Sequence, residues 1–251
     1  RTITEQLVQI AQILFNAPGA ARLRRGGCLR LALSDKPLRD GDAAAEVAEA
    51  VDDADEQAAP YPDQAAEKDE FEYMVNRCYT MYMQQNNNVI FNLLDSHDTE
   101  RLMNRCQDLD IFYQQLAILF TMPGSPCIYY GTEIALEGAH DPDCRRCMPW
   151  DEIDSAENQK KIELMKSLIR MRIQEDACRS LYFDFPHKYS QKRCVEYRKL
   201  NLDGKWIEVL LNCGSEPIEI QGQGEILFAR RCEGNSLDVR GTLIRRLPST
   251  V

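Results

Sequence analysis

The stretch FNLLDSHDTERL, residues 91 to 102, closes the apolar run from Val89 to Leu94 with the polar series Asp95, Ser96, His97, Asp98 and Thr99. A histidine and a carboxylate side by side can both bond hydroxyls. Two further polar groups follow: YYGTE, Tyr129 to Glu133, and HDPDCRRCMPW, His140 to Trp150. Acids, histidine and arginine make several hydrogen bonds to a neutral polyhydroxyl ligand, and aromatic faces pack on the apolar faces of sugar rings.

These groups need elements to aim them. A continuous aliphatic run such as Val89 to Leu94 predicts a strand buried on both faces, the kind found in parallel sheets flanked by helices. Its polar sequel then falls at the strand's carboxyl end, where loops of parallel α/β folds converge and ligands bind. The spacing of apolar residues predicts a helix over Phe71 to Met83. A second runs from Leu109 to Met122 and is stopped by Pro123 and Gly124. Pro126 to Tyr130 reads as a short strand. Ser155 to Gln174 reads as a long amphipathic helix with Ile162, Met165, Leu168, Ile169 and Ile173 on one face. The alternation is that of a parallel α/β fold.

Beyond about Arg179 the pattern changes to short alternating runs: Arg193 to Leu200, Trp206 to Asn212, Pro217 to Ile220, Glu225 to Arg230 and Thr242 to Leu247. Turn residues such as NLDG and NCGS separate them, which predicts a small antiparallel sandwich or meander. Three regions are therefore expected. Residues 1–70 hold a helical spacing over 3–15, a basic patch from Arg22 to Arg30 and an Ala/Asp/Glu-rich tract from Asp40 to Glu70 that reads as solvated helix, linker or disorder. Residues 71–178 form the α/β part and 179–251 the β part, with the boundary between 176 and 190.

Composition removes some functions. A chain of 251 residues with 44% hydrophobic and 28% charged residues is ordinary for a soluble globular protein. A formal charge of -10 argues against a general nucleic-acid or acidic-membrane binder. No run approaches the ~18 apolar residues of a membrane span. The chain opens on Arg1 with no basic-then-apolar leader, and its 10 cysteines lack the density of a small secreted framework, so free thiols in a cytoplasm are expected. Cys144 and Cys147 invite a zinc or redox reading, but no second pair of ligands has matching spacing, and no metal or cofactor is expected. The basic patch lacks interleaved aromatics and reads as solvated surface; the acidic tract lacks the spacing that wraps calcium.

FNLLDSHDTERL resembles the fourth conserved stretch of the α-amylase family of glycoside hydrolases, where a His-Asp pair follows the seventh strand of a (β/α)8 TIM barrel. MPGSPCIYYGTEIALEG, from Met122, resembles that family's eighth-strand segment. HDPDCRRCMPWDE is similar to the corresponding loop of the neopullulanase, cyclomaltodextrinase and maltogenic amylase subgroup. The resemblance implies the last strands and helices of the barrel followed by a small β-sandwich. It implies an α-glucan oligosaccharide as substrate, cleaved at α-1,4 bonds with retention, with α-1,6 bonds as a further candidate, and a homodimer as the candidate assembly of the full-length form. It assigns Asp98 to the third catalytic carboxylate, which grips sugar hydroxyls as the ring becomes cationic, and His97 to the histidine that bonds the sugar beside the scissile bond. Asp141 and Arg145 take the places of the subgroup's donor-side contacts. Hydrogen bonds that strengthen as oxocarbenium character develops lower the barrier, whereas uniform binding does not.

Retaining glycosidases also need a nucleophile and an acid/base about 5 Å apart. In this family they sit upstream, in motifs of the form Gly-x-Arg-Leu-Asp and Gly-Glu-x-Trp, and neither motif occurs in these 251 residues. GCLRLAL puts Ala32 at the nucleophile's place, and LRRGG and KPLRDGDAAAEVAEAV resemble the segment between the fifth and seventh strands only faintly. Glu5 stands near the acid's place without its motif. Two readings follow: the C-terminal portion of a glucan hydrolase, or a non-catalytic remnant that binds sugar weakly.

Overall fold

The structure, a computed structural model, describes residues 67–189 and 193–248. The predictions over residues 1–66, including the early helix, the basic patch and Glu5, lie outside the described residues. The described residues belong to one compact unit.

Helix α1 spans Glu67–Thr80 and buries Phe71, Val75 and Cys78. A short helix α2, Gln84–Val89, precedes strand β1, Phe91–Leu93. Helices α3, Leu102–Cys106, and α4, Leu109–Thr121, then lead to β2, Ser125–Cys127, which pairs parallel with β1 through Phe91 opposite Ser125 and Leu93 opposite Cys127. This is a β-helix-β crossover, as the alternation predicts. Asp108 caps α4 by accepting from the N–H groups of Asp110, at 2.9 Å, and Ile111, at 3.0 Å. Pro123 and Gly124 end it, and Gly124 has no substitute: at φ +93 a Cβ would lie 2.5 Å from the Ile90 carbonyl.

The buried strand from Val89 to Leu94 is corrected. Val89 closes α2 and is 72% exposed, Phe91 is 58% exposed, and Asn92 is the residue fully buried in β1. Among the described residues β1 pairs only with β2, which leaves its other edge unpaired. Asn92 earns its burial by donating to the Pro123 carbonyl at 2.6 Å. β2 is likewise shorter than the predicted Pro126 to Tyr130, because Tyr129 and Tyr130 already belong to the loop.

Helix α5, Ala156–Gln174, begins at the Ser155 cap, whose hydroxyl accepts from the Asn158 N–H at 3.2 Å. Its buried face is Met165, Leu168, Met171 and Arg172, while Ile169 and Ile173 are exposed. The apolar face is therefore turned toward Met171, because Arg172 goes inward to donate to the carbonyls of Phe120, at 2.7 Å, and Met122, at 2.9 Å. These carbonyls end α4, and a cation there complements the helix dipole.

The β part is one connected antiparallel sheet of six strands: β3 Phe183–Asp184, β4 Cys194–Leu200, β5 Trp206–Asn212, β6 Ile218–Glu219, β7 Glu225–Glu233 and β8 Ser236–Arg246. β8 lies between β5 and β7 over its second half, and its start pairs with β6. Alternation sorts the side chains. Tyr197, Ile207, Val209, Leu211, Phe228 and Ile244 join the core of α1, α4 and α5. Leu210, Ile218, Ile220, Leu237, Leu243 and Tyr189 form a second cluster. Both faces of the sheet thus carry a buried apolar cluster. Among the described residues no helix is long and apolar enough to cross a membrane.

Candidate functional site

The loop leaving β1 turns sharply: the Ser96 N–H donates to the Thr99 hydroxyl at 2.9 Å, and the Asp98 N–H to the Ser96 hydroxyl at 3.2 Å. Asp95 stays beneath it, 4% exposed. Its carboxylate accepts from the Leu102 N–H at 3.0 Å, capping α3, and from the Thr132 hydroxyl at 2.9 Å. Burial pushes the Asp95 carboxyl above its ordinary value, and these hydrogen bonds with nearby Arg105 and Arg101 oppose that shift.

With the cap supplied by Asp95, Asp98 is left for other contacts. Its carboxylate lies 3.2 Å from His97 Nε2 and 3.5 Å from Arg145 Nη2. Arg145 Nε lies 2.9 Å from the Asp141 carboxylate and donates to the His97 carbonyl at 3.1 Å. The structure therefore brings His97, Asp98, Asp141 and Arg145 together in one cluster. Their side chains are 62, 47, 54 and 50% exposed respectively, so a solute can reach every one.

The loop from His140 to Trp150 is built around a one-turn helix, Asp143–Arg145. Asp143 accepts two bonds of 2.7 Å from Arg146 and one of 2.7 Å from the Ala139 N–H. His140 Nε2 lies 3.3 Å from the Glu100 carboxylate. Cys144 is buried, and its thiol donates to the His97 carbonyl at 3.0 Å; Cys147 is exposed. The thiol of Cys144 thus holds the catalytic-candidate loop, and among the described residues no group of three His, Cys, Asp or Glu side chains could hold a metal ion.

Tyr129 and Tyr130 pack edge to face with centroids 4.5 Å apart, and the Tyr130 hydroxyl donates to the Arg146 carbonyl at 2.8 Å. Glu133 is half-buried in the turn Thr132–Ile134, and Trp150 stands 74% exposed on the turn Trp150–Glu152. Arg101, fully buried between the tyrosines and the Cys144 carbonyl, did not stand out in the sequence. Its only signal is an arginine directly before the buried Leu102, which periodicity cannot tell from a surface arginine.

The cluster offers two carboxylates, a guanidinium and an imidazole on one exposed rim, which can bond adjacent hydroxyls from both the donor and the acceptor side. The profile of the alpha amylase catalytic domain matches residues 47–184. Over 117 residues the chain is 46% identical to the intracellular maltogenic amylase of Bacillus subtilis, which covers 46% of this chain and 20% of that protein. Over 151 residues it is 38% identical to a cyclomaltodextrinase of a Bacillus species, 59% of this chain and 26% of that one. Among solved structures, the maltogenic amylase from S. marinus superposes with a TM-score of 0.59 at 30% identity, over 73% of this chain and 26% of that chain. The chain spans about a fifth to a quarter of the length of the curated relatives it matches.

Proposed function

Because the chain belongs to the α-amylase family of glycoside hydrolases, we propose that it supplies the donor-side half of a glucan-cleaving site that acts on maltodextrins and cyclodextrins by a retaining mechanism. The observation that carries this reading is the meeting of His97 and Asp98, from the β1 loop, with Asp141 and Arg145, from a loop more than forty residues later. In this reading Asp98 takes the hydroxyls of the sugar at the scissile bond, and its negative charge favours the cationic transition state over the neutral ground state. His97 bonds the same unit, and Arg145, held between Asp98 and Asp141, contacts the next one. Residues 71–178 are the barrel portion and 179–251 the sandwich that closes it. The setting is the cytoplasm, where the nine described cysteines stay as free thiols.

Hydrolysis needs a nucleophile and an acid in addition. Neither of the family's motifs for them occurs in these 251 residues, which favours a second reading of the chain taken alone: it binds sugar and cleaves nothing. Incubation with maltotriose and a cyclodextrin tests the second, with reducing ends as the readout. We expect none from the 251-residue chain; sustained product would overturn that. In the full-length protein Asp98→Asn should lower kcat/KM by roughly 10²–10³-fold. Unchanged turnover there would remove Asp98 from the mechanism.

A further inference from the structure

Arg101 has 0% of its surface exposed, yet among the described residues no carboxylate lies within ion-pair distance of it. A buried guanidinium is costly to desolvate, and the cost is met only if its donors find acceptors. Its contacts show what it does instead. The Arg101 N–H donates to the Gly138 carbonyl at 2.9 Å. Nε donates to the Cys144 carbonyl at 2.7 Å, and Nη1 donates to the Tyr130 carbonyl. The guanidinium carbon lies 4.2 and 4.4 Å from the ring centroids of Tyr129 and Tyr130, within cation–π reach. Gly138 makes room for it: a Cβ there would stand 2.9 Å from Arg101 Cγ and 2.8 Å from the Asp143 carbonyl.

One side chain therefore ties three loops: the one carrying His97 and Asp98, the one carrying the tyrosines, and the one carrying Asp141 and Arg145. The carbonyl it holds is that of Cys144, the residue next to Arg145. We propose that Arg101 is a positioning residue of the sugar site, setting the separation between Asp98 and the Asp141–Arg145 pair from below without touching the saccharide. The inference rests on reading that cluster as a sugar site.

Arg101→Lys is the informative variant, because lysine keeps the charge but gathers its donors on one nitrogen and loses the planar fork whose separate Nε and Nη1 reach the Cys144 and Tyr130 carbonyls. Three readouts are taken on the 251-residue chain: amide hydrogen exchange, the imidazole resonances of the three histidines, and titration with maltotriose. We expect exchange over residues 139–146 to speed up by roughly tenfold while α4 amides keep their protection. The His97 and His140 resonances should shift and that of His187, paired with Glu72 at 2.9 Å on another loop, should stay. Maltotriose should bind about tenfold more weakly, a loss of one charge-assisted contact's worth. Arg101→Gln, which keeps a polar donor but loses the charge and the reach to both carbonyls, should give the same pattern, and it stands in if the lysine variant fails to fold. Unaltered exchange and His97 resonances would overturn the proposal, and so would a loosened loop with undiminished sugar affinity. If the unsubstituted chain takes up no maltotriose, the sugar reading fails, and exchange with the His97 signal still decides whether Arg101 sets the loops.

Discussion

Arg145 has three acceptors around it, the Asp98 and Asp141 carboxylates and the His97 carbonyl, and it is half exposed. Solvated ion pairs of this kind contribute about 0–1 kcal/mol to stability, so Arg145→Ala should leave the thermal midpoint nearly unmoved. A sugar that displaces water from the guanidinium loses a charge-assisted bond, and affinity for maltotriose should fall by roughly tenfold. Calorimetric titration beside a melting curve checks both halves; a large drop in melting temperature with unchanged affinity would make Arg145 structural. Asp98 and its neighbour three residues before it illustrate what residue types alone can tell. Two carboxylates flank His97, and the sequence offers no ground for deciding which caps the helix. The fold decides by depth: Asp95 is buried against Leu102 and Thr132, which leaves Asp98 on the rim.

At the scale of elements, the sheet is fastened to the helices by a lysine. Lys199 on β4 is fully buried and donates to the Cys178 carbonyl at 2.7 Å and to the Thr121 carbonyl at the end of α4, with Phe183 packed over it at 4.8 Å. Burial holds its ammonium well below the ordinary lysine value. The sign follows from proton counting. Between the depressed folded value and the unfolded one near 10.4, the unfolded chain binds more protons, so stability rises with pH across that window. Lys199→Met removes the group from both states. The difference in melting temperature, native minus variant, should therefore grow from about pH 7 to about pH 10. A difference flat in pH would show that Lys199 does not titrate on unfolding. On the opposite face, Glu208 sits between its cross-strand neighbours Arg198, at 2.7 Å, and Arg245, also at 2.7 Å. Glu208→Gln should cost about 3–5 kcal/mol in chemical denaturation, since it strands a buried arginine without its anion. A cost below about 1 kcal/mol would mean that solvent reaches the cluster.

For the molecule as a whole, the consequential feature is the surface around β1. Phe91 is exposed on a strand paired on one side only among the described residues, with Val89 exposed at the end of the helix before it, and a bare apolar edge templates pairing with another chain. Phe91→Lys should reduce self-association of the 251-residue chain, read by sedimentation, without lowering its melting temperature. Equal association by both forms would place the sticky surface elsewhere. The apolar run from Val89 to Leu94 was legible as strand-forming, but its burial was not, because burial belongs to whatever lies alongside and is no property of the run itself. The same holds for Ile169 and Ile173, whose helical spacing is right but whose face is turned outward by the inward Arg172.

What the amino-acid order determined by itself is local: the helix stop at Pro123 and Gly124, the switch from crossover to antiparallel strands, and the polar motifs that resemble one enzyme family. These depend on backbone preference and on spacing within a few residues, which are written directly in the chain. Only the tertiary structure decided that Asp95 goes under and Asp98 stays on the rim, that Arg145 comes back over more than forty residues to meet it, and that Arg101 lies buried between them. Such outcomes depend on which surfaces exclude water and on contacts between loops distant in sequence, and the energy of a buried charge exists only once its neighbours are in place.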